Sequence, residues 1–251
     1  MANSPTGDTM AERIVRVLDT FSTDRTVQTA AEIGRRSGLP SSTAHRIVDE
    51  LVRAGMLERD DERRVRLGMR LWELALRGSS ALRLRQVALP FMTRVQARVR
   101  EHTQLAVLEH EEALFVERLS HPDAGANITR VAGRLPLHAS SSGLVLLAYG
   151  PEELRRRVLG GPLVAVAPET ITEAAVLERV LEDIRRRGQV VAPGSIEAVS
   201  TGIAVPIRDA RGVVIAALSI VLPRDAPTAG PLDELHRAAA GISAGLIADR
   251  S

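Results

Sequence analysis

The sequence predicts an α+β protein in two parts, a helical N-terminal domain and a larger C-terminal domain built on an antiparallel sheet. Length is the first reason: 251 residues suit two domains better than one, because single domains usually run to about 100–150 residues. Periodicity is the second. Apolar residues between positions 10 and 55 recur at helical spacing, whereas positions 104–119 and 201–221 alternate as strands do. The third is order, since the strands come in runs separated by several helices and lack the strict β-α-β alternation of a parallel sheet. Composition agrees: 45% hydrophobic and 25% charged residues can bury a core and are too apolar for disorder.

The first helix begins at Met10, with Ile14, Val17, Leu18 and Phe21 on one face, and stops before the polar stretch 22–25. Thr29 and Glu32 stand three apart as a capping box and open a helix of about two turns around Ile33. Ser37 and Gly38 end it. Pro40 suits a first helical position, and Ala44, Ile47, Val48 and Leu51 mark the buried side of a third helix closing at Gly55. Two short helices joined by a glycine-containing turn make a helix-turn-helix.

The opposite face of the third helix carries Ser41, Ser42, Thr43, His45, Arg46, Asp49 and Arg53. The N-terminal end of such a helix is the part that enters the major groove of DNA. Arg46 has the fork geometry for guanine, while the hydroxyls and His45 can reach phosphates or base edges. The same face also reads as a solvated one laced by Arg46, Asp49 and Arg53. Strands at 56–59 and 64–67 around the turn 60–63 then form a hairpin, with Val65 and Leu67 inward. Arg63, Arg64 and Arg66 point outward, as a wing along the phosphate backbone would require. Residues 30–70 hold nine Arg against seven Asp plus Glu, so affinity must come from arrangement rather than net charge.

Residues 69–82 continue as a helix whose Leu71, Trp72, Leu74, Ala75 and Leu76 are too apolar on two sides for a solitary surface helix. It is expected to pack on a partner, with a break near Gly78 and Ser79. The expected division is a winged helix-turn-helix over 9–69, a linker helix over 70–83 and a second domain over 84–251. In that domain a helix is expected at 84–101, strands at 104–110, 113–119 and 127–132, and helices at 140–149, 152–159 and 173–187. A hairpin of 201–208 and 213–221 turns at Asp209-Ala210-Arg211-Gly212, and a helix at 232–248 closes the chain.

Several chemistries are disfavoured. The chain has no cysteine, hence no disulfide, thiol nucleophile or cysteine zinc cluster, which fits a reducing cytoplasm. Its six histidines stand eight or more residues apart, so no metal is expected. No organic cofactor is expected either. No apolar run approaches the ~18 residues of a membrane span, and the N-terminus lacks a signal-peptide pattern. All 33 basic residues are arginine, against 31 acids, and arginine is the side chain best shaped for phosphate and guanine. His138 and Ser140, Ser141 and Ser142 are the nearest approach to a catalytic constellation, but a Gly-x-Ser-x-Gly elbow is missing. A non-enzymatic protein is therefore expected.

Three ordered blocks carry a family resemblance. The stretch LPSSTAHRIVDELVRAGMLERDDERRVRLGMRLWELA, the stretch RLPLHASSSGLVLLAY and the stretch GQVVAPGSIEAVSTGIAVPIRDARGVVIAALSIVLP resemble the recognition helix, wing and linker, the effector-domain helix entrance and the late hairpin of the IclR family of bacterial transcriptional regulators. The resemblance runs from about Met10 to Ala248. It implies a homodimer or homotetramer that binds double-stranded operator DNA, more often as a repressor than as an activator, and a GAF-like C-terminal domain that binds a small-molecule effector.

Carried over position by position, it implies effector contacts at Ser141, Ser142, Ala192, Gly202 and Ser219. Ala192 and Pro193 stand where members that bind small polar acids have an acidic residue, and Gly202 stands where they have Cys. The departures point to an organic acid larger than such members take, or to an apolar metabolite. Two other readings stay open: a ligand-sensing or protein-interaction module whose winged helix does not bind DNA, and a hydrolase with an accessory helix-turn-helix.

Overall fold

The computed structural model describes residues 7–124 and 128–248. They form two compact units that meet between Ser79 and Ser80.

The first unit contains α1 (Met10–Leu18), α2 (Ala30–Ser37), α3 (Ser41–Arg53), the two-stranded ladder of β1 (Leu57–Arg59) and β2 (Val65–Leu67), and α4 (Met69–Gly78). Capping boxes start both of the first two helices, Thr9 with Glu12 and Thr29 with Glu32. Pro40, expected inside α3, is instead its N-cap with ψ 139°, so the helix opens at Ser41. Val17, Ile33, Ile47, Val48, Leu51, Leu57 and Val65 close one small core. Gln28 ties the wing to the helices: its backbone exchanges two hydrogen bonds with Val65, while its buried side-chain amide donates to Thr20 and accepts from Arg36. Leu67, expected inward, is 48% exposed. The bridge to Gln28 pins Val65 over the core, and a three-residue strand leaves its far end beyond it.

The helix expected across 69–82 divides at Ser79, whose backbone is extended with ψ 111°. Residues beyond it belong to α5 (Ser80–Val99). The second unit continues with β3 (His102–Glu109), β4 (Glu112–Leu119), β5 (Arg134–Pro136), α6 (Ser141–Tyr149), α7 (Glu152–Gly160), α8 (Ala174–Arg187), β6 (Val190–Pro193), β7 (Ser200–Arg208), β8 (Val214–Pro223) and α9 (Ala229–Ala248). The six strands form one sheet in the order β5-β4-β3-β8-β7-β6, and every neighbouring pair is antiparallel. The α+β expectation is met.

Two strand assignments change. Residue 127 of the expected strand 127–132 lies outside the described residues, and 128–132 run without a ladder. The chain turns at Val131 and Ala132, the latter with φ 62°, and pairing starts only at Arg134. Ile128 and Val131 are accordingly exposed. Strand β6, too short to show a period, pairs with β7 at the sheet edge.

The sheet is covered on both faces. Leu105, Ile203, Val205, Leu218 and Ile220 pack with α5 and α9, while Ala106, Ala113, Ala204 and Ala217 turn toward α6 and α8. Period-two alternation therefore sorts large side chains to one face and small ones to the other. Small residues let α6 lie close to the strands, and this helix is buried over Ser141–Ala148. Gly143 marks where α6 closes on the turn that leads into it: a Cβ there would stand 2.7 Å from both the Cα and the carbonyl oxygen of Leu137.

Candidate functional site

Two candidate sites lie in separate units. In the first, α3 buries Ala44, Ile47, Val48 and Leu51 and so turns Ser41, Ser42, His45, Arg46 and Arg53 to solvent, with Thr43 half-buried. His45 Nδ1 lies 2.8 Å from the Ser41 carbonyl oxygen. Arg46 donates to Glu50 one turn on, at 2.8 Å. On the wing, Arg64 pairs with Asp60 and Glu62, and Arg66 with Glu58.

These exposed pairs are each worth little and can be exchanged for a phosphate. The Met69 N–H and the Arg66 guanidinium hold the Glu58 carboxyl below its usual pKa, so it stays charged. Arg63, at the wing tip with φ 60°, and Arg53, in the last turn of α3, form no ion pair within the described residues. The sequence reading set Asp49 among Arg46 and Arg53; Arg46 instead pairs with Glu50 and Asp49 with Arg59, and the acids that hold Arg64 and Arg66 on the wing were not anticipated.

The second site is a small cavity of about 30 Å³ between the N-terminus of α6, the sheet and the loop 194–199. Ser140 caps α6 by accepting from the Gly143 N–H at 3.0 Å. The Ser142 hydroxyl donates to Ser219 at 2.8 Å, joining helix to sheet in a buried pair. Gly202 on β7 faces Ser141: a Cβ there would come within 2.7 Å of the Ser141 hydroxyl oxygen. The loop is braced by the Thr170 hydroxyl donating to the Ser195 carbonyl at 2.7 Å and by the Ser200 N–H donating to the Glu197 carbonyl.

Of the five positions expected to contact an effector, Ser141, Ser142, Ala192 and Gly202 line this cavity. Ser219 stands behind Ser142, with its hydroxyl already engaged. Although positions 192 and 202 lack polar side chains, Gln104, Thr129, Ser195, Glu197 and Ser200 supply polar groups from other elements, opposite apolar Phe115, Leu135, Ile196 and Val221. One signal could have found Gln104: it lies in phase with Ala106 on β3, a polar residue on a face of small apolar ones.

Ser140, Ser141 and Ser142 form no hydrogen bond to a histidine among the described residues, and His138 instead meets the Val164 carbonyl oxygen at 2.9 Å. Among those residues no cluster of His, Asp or Glu could hold a metal. Among the described residues no helix is long and apolar enough to cross a membrane.

Comparison with known proteins is consistent across both units. The IclR helix-turn-helix domain model matches residues 10–61, and the model of the bacterial transcriptional regulator IclR C-terminal domain matches residues 78–244. The HTH-type transcriptional regulator XynR of Escherichia coli K12 is 29% identical over 211 residues, covering 83% of this chain and 84% of its own. The Pca regulon regulatory protein of Pseudomonas putida is 28% identical over 221 residues, covering 86% of this chain and 76% of its own. The crystal structure of an IclR homologue from Microbacterium hydrocarbonoxydans complexed with 4-hydroxybenzoate is 63% identical, with a TM-score of 0.90 over 95% of this chain and 99% of that one. With a helix-turn-helix and an effector-type domain matched in order along most of its length, the chain belongs to the IclR family of bacterial transcriptional regulators, DNA-binding proteins with a C-terminal effector domain.

Proposed function

We propose that the exposed face of α3 reads operator DNA while the cavity beside α6 takes a hydroxylated aromatic carboxylic acid. The observation that carries the ligand class is the 4-hydroxybenzoate complex of a protein 63% identical to this one. The chemistry of the lining suits such a molecule, since Phe115, Leu135 and Val221 offer apolar surface to a ring and the serines and Glu197 offer polar partners at its edges, and the loop 194–199 gives way to admit it. A helix N-terminus at one wall favours a carboxylate.

On the DNA side, Arg46 contacts a base edge, Ser41, Ser42, Thr43 and His45 contact phosphates or bases, and Arg53, Arg63, Arg64 and Arg66 contact phosphates. Residues 9–69 are the DNA-binding domain, 70–83 the linker and 84–251 the effector and oligomerisation domain. The regulator works as a homodimer or tetramer in the cytoplasm. Support for pairing is the exposed apolar surface of the first unit, with Val15 on α1 and Met69, Trp72, Leu74 and Leu76 on α4. Two α3 helices would then meet successive half-sites of a pseudo-palindrome. The ligand acts by preferring one arrangement of the two domains.

The test is fluorescence anisotropy with DNA from upstream of the protein's own gene, at two salt concentrations and with nonspecific competitor. Competitor-resistant, salt-sensitive binding that shifts with 4-hydroxybenzoate is expected. Arg46→Ala should weaken it by about 1–3 kcal/mol with the fold intact. Operator affinity unchanged in that variant would remove α3 as the reading element, and loss of all specific binding in the parent would favour the sensor-module reading.

A further inference from the structure

The cavity contains a donor that the fold leaves unused. Gln104 on β3 is 2% exposed and lines the cavity wall, yet its side-chain Nε2 is shielded from solvent without a hydrogen-bond partner among the described residues. Its cross-strand neighbours do not supply one. Ser219, paired with Gln104 across β8, gives its hydroxyl to Ser142. Arg118, paired with Gln104 across β4, is itself a donor whose Nη1 goes to the Thr129 carbonyl and whose Nε is likewise buried and unused. Burial without a partner is costly for an amide, and such groups persist where a ligand completes them.

We infer that Gln104 is a specificity-determining residue of the effector cavity, its amide N–H₂ donating to a carboxylate oxygen of the bound aromatic acid. The inference rests on the cavity being the effector site. An acceptor placed there meets the Gln104 amide on the sheet side and the positive end of α6 on the helix side, with the Arg118 guanidinium one strand away. That environment selects a carboxylate over a neutral amide or ester at the same end of the ring.

The experiment measures 4-hydroxybenzoate binding by calorimetry, and thermal stability without ligand, for the full chain and four variants. Gln104→Leu should weaken 4-hydroxybenzoate about tenfold and raise the ligand-free Tm by about 2 °C, because it removes an unsatisfied buried group. Gln104→Met, of similar length, should do the same and guards against a packing artefact of Leu. Gln104→Glu should weaken binding about thirtyfold at pH 8 through like-charge repulsion. Most of that loss should return near about pH 5, where the introduced carboxyl is protonated and can donate, while the parent serves as the reference at each pH. Ile196→Trp, which fills the cavity from its loop, is the control for the site. If the parent binds, Ile196→Trp does not, and Gln104→Leu and Gln104→Met stay within about twofold of the parent, the role of Gln104 is overturned while the effector site stands. If the parent fails to bind 4-hydroxybenzoate, the effector reading falls and this inference with it.

Discussion

Gly143→Ala is expected to destabilise the C-terminal unit by about 3 kcal/mol, an overpacking cost at the upper end of the usual range. The added methyl would sit 2.7 Å from the Cα and carbonyl oxygen of Leu137 and equally close to the Ser140 hydroxyl. Two of those three atoms are backbone, and the third is the cap of α6, so no flexible side chain can swing aside. Relief requires α6 to shift against the turn 137–140 that leads into it, which would disturb its cap, the Ser142–Ser219 hydrogen bond and the core built around Leu144 and Leu147. Calorimetry should show the transition of the second unit lowered by about 6–12 °C, at roughly 2–4 °C per kcal/mol for a domain of this size. The first unit, with its own core, should melt where it does in the parent. A transition shifted by less than about 2 °C would mean that the turn 137–140 gives way and that its contact with Gly143 does not fix the start of α6.

Ile196→Trp is expected to weaken 4-hydroxybenzoate binding at least about 100-fold, equivalent to roughly 2.7 kcal/mol, and to uncouple operator binding from the ligand. Ile196 is half-buried in the loop that lines the cavity. Its neighbours hold the loop in place, Ser195 through Thr170 and Glu197 through the Ser200 N–H, so a larger side chain is accommodated in the space the ligand needs. A loop position is preferable to Ser142, where a large side chain would also disrupt the buried pair with Ser219 and confuse blockage with unfolding. Operator affinity without ligand should match the parent. If the DNA complex of Ile196→Trp still responds to 4-hydroxybenzoate, the ligand acts elsewhere.

The helix-turn-helix was legible because its signals are local. Thr29 and Glu32 cap α2 within one turn, and the apolar stripe of α3 selects by itself which side chains face outward. The same reasoning failed at Leu67, since period-two alternation says which residues share a face but not how far the core beneath extends. The strand expected over 127–132 differs for a related reason across its described residues 128–132: apolar residues recur there, but the chain turns at Ala132, and the ladder with β4 begins only at Arg134.

The effector cavity was legible only through its helix entrance and its hairpin. Ser142 and Ser219 lie 77 positions apart and meet because the strand order places β8 beside β3, under the buried α6. Gln104 reaches the same space through that order; its one local signal is a polar side chain in phase with Ala106, which marks it as unusual but does not say what it meets.

What the sequence by itself determined is the set of amphipathic elements, their caps, the outward arginines of α3 and the wing, and the antiparallel character of the second domain. These follow from periodicities and hydrogen-bond chemistry acting over a few residues. What only the tertiary structure decided is where the sheet's polar side chains converge, which arginines already hold acids, and how closely α6 lies on the strands. Those depend on contacts between residues distant in the chain, where steric fit and the unmet hydrogen bond of Gln104 are set by packing rather than by any local pattern.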